Sequence, residues 1–205
     1  MAWDPDCATA YYNRGRLAAE KGKTDEVLAD YAVAIEKDPF FFEAYVNRAN
    51  THFRQNRFSE ALLDYDQAIT LKPQHPSATY FRALCLLRLR HYRQALTGFT
   101  RTINIYPNYV DAHDHLAWVM ATSPDSSVRN GEKAIHAAKT ACRLSQGTNF
   151  RHRATLAAAF AENGQFDDAV REQKASIQLA PNDKKSLLRR RLQMYRNEEP
   201  YHESP

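Results

Sequence analysis

Small and apolar residues recur along this chain at a fixed step of 34 positions. Gly15, Ala49, Ala83 and Ala117 form one column, and Val27, Ala61 and Ala95 form a second. Tyr31, Tyr65 and Phe99 supply an aromatic, followed three residues later by Ala34, Ala68 and Thr102. Pro5, Pro39, Pro73 and Pro107 keep the same interval. Within one period the spacing is helical. Tyr11, Arg14, Gly15 and Ala18 share a helix face, Glu20-Lys21-Gly22-Lys23 interrupts the pattern, and Val27, Leu28, Tyr31 and Ile35 resume it. Asp38-Pro39 then stops the second run, since proline lacks a donor and disfavours helix at the residue before it. Each period predicts helix A, a tight turn, helix B and a stop. Several such units in series predict a solenoid in which each repeat packs only on its neighbours.

The expected repeats run 8–41, 42–75, 76–109, 110–149 and 150–183, with 1–7 as the tail of a preceding repeat and 184–205 as a capping helix and tail. The fourth repeat is the irregular one. It carries a long A–B connection, Thr122 to Asn130, and places Ala138 at the aromatic position and Gln146 near the expected proline. Phe150 follows Val110 by 40 positions, six more than the period. In the final helix Leu187, Leu188, Leu192 and Tyr195 lie toward the last repeat, while Lys185, Arg189, Arg190, Arg191 and Arg196 back it with charge. Pro5 stands where the stop of an earlier repeat belongs, so the chain is expected to open at the end of a missing helix B. That points to an array cut from something longer, or to one relying on a partner at that face.

Composition narrows the class without changing it. Hydrophobic residues make up 43% of the 205, close to the globular norm, and six glycines suit helices joined by short turns. No apolar run approaches the roughly 18 residues of a membrane span, and Met1-Ala2-Trp3-Asp4-Pro5 lacks the basic and apolar regions of a signal peptide. Cys7, Cys85 and Cys142 are too few and too widely spaced for a disulfide framework or a metal site, which favours reduced thiols and a cytoplasmic setting. The net charge of +4 is mildly basic and does not by itself point to nucleic acid.

With these columns in place, the chain resembles the tetratricopeptide-repeat family. The resemblance runs from about Pro5 to Pro181 and rests on Tyr11/Gly15/Ala18, Ala61/Tyr65/Ala68/Pro73 and Ala95/Phe99/Pro107. The stretches Leu116 to Asp125 and Thr155 to Glu162 look like those of bacterial multi-repeat members. The resemblance implies an all-α fold: a right-handed superhelical solenoid of antiparallel helix pairs, about five units plus a C-terminal capping helix. It also implies a concave groove lined by the A helices and used to hold peptides or helices of partner proteins, without cofactors or catalysis.

Carried onto this sequence, the groove stripe holds Tyr12, Asn13 and Arg16 in the first repeat, Asn47, Asn50 and Arg54 in the second, Tyr80, Phe81 and Arg88 in the third, and Trp118 in the fourth. An asparagine amide carries both a donor and an acceptor and can pair with a ligand backbone whatever its side chains. Asn13 and Asn47 occupy equivalent places, with Asn50 one turn on, similar to the ladder of the O-linked N-acetylglucosamine transferase array. Tyr12, Tyr80, Phe81 and Trp118 offer apolar anchors of the kind interface hot spots use, and Arg16, Arg54 and Arg88 favour an acidic or C-terminal group. The two-carboxylate clamp that the family uses for chaperone tails is not matched. Of its five places, here Tyr12, Arg16, Asn47, Ser77 and Phe81, only Asn47 agrees.

Other chemistries are weaker. Asp111, His113, Asp114 and His115 form the densest set of metal-ligand types, but on a helix His113 points well away from His115. Ser123, Ser126 and Ser127 lack a nucleophile elbow and are expected to cap the next helix. Arg82, Arg88, Arg90, Arg93 and Arg101, with the basic last helix, leave an RNA-binding helical repeat as a lesser alternative, against which the strict period and alanine columns count. A structural role, self-association into a homo-oligomer through the uncapped N-terminal face, is the main rival to capture of a protein or peptide.

Overall fold

The computed structural model describes residues 7–204, and among these every regular element is a helix. The expected proline stop at Pro5 lies outside the described residues. The fold class is the one the period predicts: all-α, built from helix pairs stacked as a solenoid. The chain divides into two compact units, Met1–Gly98 and Phe99–Pro205.

The first unit holds α1 (Ala8–Glu20), α2 (Thr24–Lys37), α3 (Phe42–Arg54), α4 (Phe58–Leu71), α5 (Pro76–Arg88) and the first half of α6 (Tyr92–Ile105). Each helix packs on the next, α1 on α2, α2 on α3, α3 on α4 and α4 on α5. One device makes every A–B turn. The amide of the third residue past helix A returns to a carbonyl five positions back: Lys23 to Ala18, Arg57 to His52 and His91 to Leu86, at 3.0, 3.0 and 2.8 Å. Such an ending requires a left-handed residue just before it. Gly22, Asn56 and Arg90 supply it, with φ of 71°, 59° and 64°. The B helices end differently, where Asp38 and Lys72 turn extended (φ −135° and −131°) ahead of their prolines.

Apart from the prolines, all members of the columns are buried in the places described, from Gly15 and Ala49 through Tyr65 and Phe99 to Thr102. The small column meets a second one across the A–B contact. A methyl group added at Gly15 would lie 2.9 Å from the Tyr31 ring and 3.2 Å from the Asp30 Cβ, and one added at Gly98 would lie 2.7 Å from the Ala83 Cβ. One side or the other of that contact must stay small for the helices to approach.

The second unit holds the rest of α6, α7 (Val110–Thr122), a single 3-10 turn (Ser126–Val128), α8 (Gly131–Leu144), α9 (Phe150–Glu162), α10 (Phe166–Leu179) and α11 (Asn182–Arg196). Here α9 packs on α7, α8 and α10, and α11 packs on α10. From Ala154 to Ala161 every residue of α9 is buried. The long connection is pinned rather than loose. Val128 is buried, the Asn130 amide donates to the Met120 carbonyl at 2.8 Å, and the Arg129 guanidinium reaches the Ser123 carbonyl at 2.8 Å. The serines do not cap α8. Asn130 does, its side chain accepting from the Lys133 amide at 2.9 Å, while Asp125 accepts from the backbone and hydroxyl of Ser127. Ala138 is fully buried, and α8 ends without proline through Gln146 at φ 54°, whose turn returns the Gly147 amide to Cys142.

Candidate functional site

In the first unit, contacts at or beside the candidate residues cross from α1 to α3 and from α3 to α5. The Asn47 side-chain amide of α3 donates to the Tyr12 hydroxyl of α1 at 2.9 Å. Phe53 of α3 meets Phe81 of α5 edge-on, with ring centroids 5.8 Å apart. Tyr12 is half-buried against Phe41 (4.8 Å) and Tyr31 (5.8 Å), and the Arg16 guanidinium stands 5.9 Å from its ring. Asn13, Arg16, Arg54 and Arg88 are exposed.

Two of the asparagines are engaged at one end. Asn50 Oδ1 accepts from the Tyr65 hydroxyl at 2.6 Å, just as Asn47 gives its amino group to Tyr12. What each keeps for a ligand is the other end, the Asn47 carbonyl and the Asn50 amino group. Two buried tyrosines beside them, Tyr31 and Tyr65, have raised pKa values. Burial is the main cause of the raised pKa of Tyr31, opposed by the charges of Arg16 and Arg54, and burial likewise raises Tyr65 strongly. Arg16 and Arg54 are thus two exposed cations near the same face.

The aromatic floor is uneven. Phe81 is half-buried, stacked on Tyr65 at 6.1 Å. Tyr80 is buried, with its ring edge-on to Phe81 at 5.2 Å, so it supports the face rather than presenting itself there.

Trp118 belongs to the second unit, and its surroundings are of another kind. Its indole N–H donates to the Glu203 carboxylate at 2.8 Å, and the rings of Trp118 and Tyr201 lie 6.0 Å apart. Beside it a cavity of about 300 Å³ opens between α7, α9 and α11, lined among others by Asp114, Phe150, Arg151, Thr155 and Lys184. Asp114 Oδ1 is buried with no hydrogen-bond partner, and burial raises its pKa against the opposing pull of His152 and Thr155.

The acidic and histidine cluster of α7 is dispersed. His113 Nε2 contacts the Pro107 carbonyl at 2.8 Å, His115 Nδ1 contacts the Asp111 carbonyl at 2.9 Å, and Asp114 turns inward. Among the described residues no group of three or more His, Cys, Asp or Glu is placed to hold a metal ion. Cys7, Cys85 and Cys142 are free thiols, and burial pushes Cys85 up to about 12 and Cys142 up to about 11. Among the described residues, no helix is long and apolar enough to cross a membrane.

Two features were not singled out from the sequence. Arg14, Arg48 and Arg82 form a further column at the same 34-residue step, and the first two pair with Asp30 and Asp64, sixteen positions on. Arg14 Nε lies 2.9 Å from Asp30 and Arg48 Nε 2.8 Å from Asp64. In the third repeat the aspartate position is Gly98, and Arg82 turns back to Asp66. The period itself carried that signal. The other feature is the C-terminal segment, which lies outside the repeat and had no periodic signal.

Sequence models described as tetratricopeptide repeat match residues 2–40 and 42–75. No curated protein matches the chain. Solved structures do. MamA superposes with a TM-score of 0.75 at 20% identity, covering 88% of this chain and 94% of that one. YrrB, described as a TPR protein with an unusual peptide-binding site, gives 0.76 at 16% identity over 91% and 93%. The first TPR of Spaghetti (RPAP3), bound to the HSP90 peptide SRMEEVD, gives 0.53 at 25% identity over 57% and 92%. Two repeats matched by sequence, followed by helix pairs of the same fold, give this chain the tetratricopeptide-repeat fold.

Proposed function

We propose that this protein is a non-enzymatic interaction module that holds an extended peptide or a helix of a partner protein against the A helices of its first unit. The observation that carries this is the continuous row formed by α1, α3 and α5. Half-buried Tyr12, Phe53 and Phe81 form its floor, Asn47 and Asn50 each keep one end of the amide available, Arg16 and Arg54 stand exposed near them, and Arg88 is exposed in the last turn of α5. Each amide–backbone bond would contribute about 0.5–1.5 kcal/mol, and a well-buried aromatic anchor about 2 kcal/mol or more. A few such contacts suffice for micromolar binding. The three arginines bias the ligand toward acidic side chains or a free carboxylate. A structure of the same fold that holds a peptide, the RPAP3 complex with SRMEEVD, supports the reading by analogy.

The test is an array of random peptides probed with the wild-type chain and with Arg54→Glu. Arg54 is exposed and in the last turn of α3, so its reversal leaves the core alone. Wild type should select acidic or C-terminal carboxylate sequences, and the variant should lose them by tenfold or more. An identical selection by both proteins removes this face from the account.

A further inference from the structure

The second unit already holds a peptide, and it is the chain's own. After α11, the Glu199 amide returns to the Met194 carbonyl at 3.0 Å with Glu198 left-handed (φ 60°), and this turn sends the tail back over α7 and α9. Three consecutive residues are then gripped in three different ways. The Tyr201 ring lies 4.2 Å from the Arg191 guanidinium, which also stands 4.7 Å from the Trp118 ring. His202 Nε2 meets Glu162 Oε2 at 2.6 Å, while the other oxygen of Glu162 is held by Arg129 Nε at 2.9 Å. Glu203 takes the Trp118 indole N–H on its carboxylate and gives its own backbone N–H to the Thr122 carbonyl, both at 2.8 Å. That carbonyl is at the C-terminal end of α7, where a helix leaves acceptors unfilled.

These contacts combine a backbone bond with side-chain contacts that each select a chemistry: a cation for an aromatic ring, a braced carboxylate for an imidazole, an indole donor for an acid. They read the order aromatic, basic, acidic in an extended segment. A surface that only needed covering would not require polar partners matched one to one.

We propose that the inner face of α7 and α9 is a second segment-binding site, specific for an extended aromatic–basic–acidic triplet. The chain closes it in cis with Tyr201, His202 and Glu203, and a partner protein carrying the same order of side chains engages it by displacing that tail. This deepens the reading that A-helix faces hold polypeptide and rests on it. A tethered tail acts at an effective concentration of the order of millimolar. If the free segment binds with a Kd of about 0.1 mM, the tail lowers the apparent affinity of an added ligand by about tenfold.

The probe is a fluorescent synthetic peptide of residues 198–204, read by anisotropy against the 205-residue chain and a chain ending at Glu199, which keeps the turn that closes α11. The shortened chain should bind the peptide about tenfold more tightly than the full chain, and a peptide with Glu203→Ala should lose that binding. The 205-residue chain carrying Tyr201→Ala and Glu203→Ala opens the same site without shortening the protein, and should bind the wild-type peptide like the shortened chain. The proposal is overturned if neither opened protein binds the peptide while keeping its helical circular dichroism, or if the full chain binds it equally well. Because this assay reads one defined peptide on the second unit, it can fail while the Arg54→Glu selection on the first unit succeeds, and the reverse.

Discussion

Replacing Gly98 with alanine tests the close approach of helices A and B, because two physical effects predict opposite signs. In a helix interior, alanine is favoured over glycine by about 1 kcal/mol, so propensity alone predicts a more stable protein. The structure predicts the reverse. The added methyl would lie 2.7 Å from the Ala83 Cβ and 3.3 Å from the Ala83 Cα, against an ordinary carbon contact of about 3.5–4.0 Å. Neither atom is the end of a flexible side chain, so α5 and α6 must part by several tenths of an ångström. Overpacking of this kind costs typically 1–3 kcal/mol, which leaves a net loss of about 1 kcal/mol after the gain in propensity. Urea unfolding monitored by circular dichroism gives the value directly. The paired variant Ala83→Gly with Gly98→Ala moves the methyl group to the other side of the contact and should be more stable than the sum of its singles. A single Gly98→Ala variant stabilised by the full propensity difference would refute the packing argument.

Two further outcomes are expected. Asp64→Ala leaves the Arg48 guanidinium unpaired with its side chain only 23% exposed, and should destabilise by about 2–3 kcal/mol, whereas Asp30→Ala should cost nearer 1 kcal/mol because the Arg14 side chain is 55% exposed and regains water; equal losses by chemical denaturation would contradict this. Asp114 has a folded-state pKa raised by burial, so its carboxylate penalises the fold once the pH passes above its unfolded value. Asp114→Asn should therefore raise the melting temperature at neutral pH, with the gain shrinking to nothing as pH falls to about 4, and a loss at pH 7 would show that the charge is compensated in place.

The period carried the fold because a solenoid repeats its contacts. Gly15, Ala49 and Ala83 face one partner column, and Tyr31, Tyr65 and Phe99 fill one kind of space, so each position is constrained in the same way in every unit. The A–B turns were legible only where glycine marked them. Asn56 and Arg90 adopt the same left-handed backbone as Gly22 without announcing it, since the rest of the turn holds them there. The candidate face was legible as a stripe but not in its bonding. Whether Asn47 and Asn50 offer whole amides or halves depends on Tyr12 and Tyr65, one in another repeat and one in the partner helix. Helical spacing alone could not separate Tyr80, which is buried, from adjoining Phe81, which is half-exposed.

The tail is the instructive omission. Periodic reading finds what the chain says many times, and Tyr201-His202-Glu203 is said once. Its place is fixed by partners far off in sequence, Trp118 and Thr122 on α7 and Glu162 on α9, none of which belongs to a column. In a repeat protein the columns build the scaffold, so residues that differ between repeats are the ones left to carry the proposed specificity. Asn47, Arg54 and Phe81 differ from their counterparts one period away or stand in a row only two repeats long, and Trp118 and Glu162 stand in none. The contacts that hold this chain's own tail are made by such residues, and the same kind of residue lines the open face of the first unit. On the proposed reading, a ligand for either face would be selected by the breaks in the period, while the period itself keeps the helices close enough to present them.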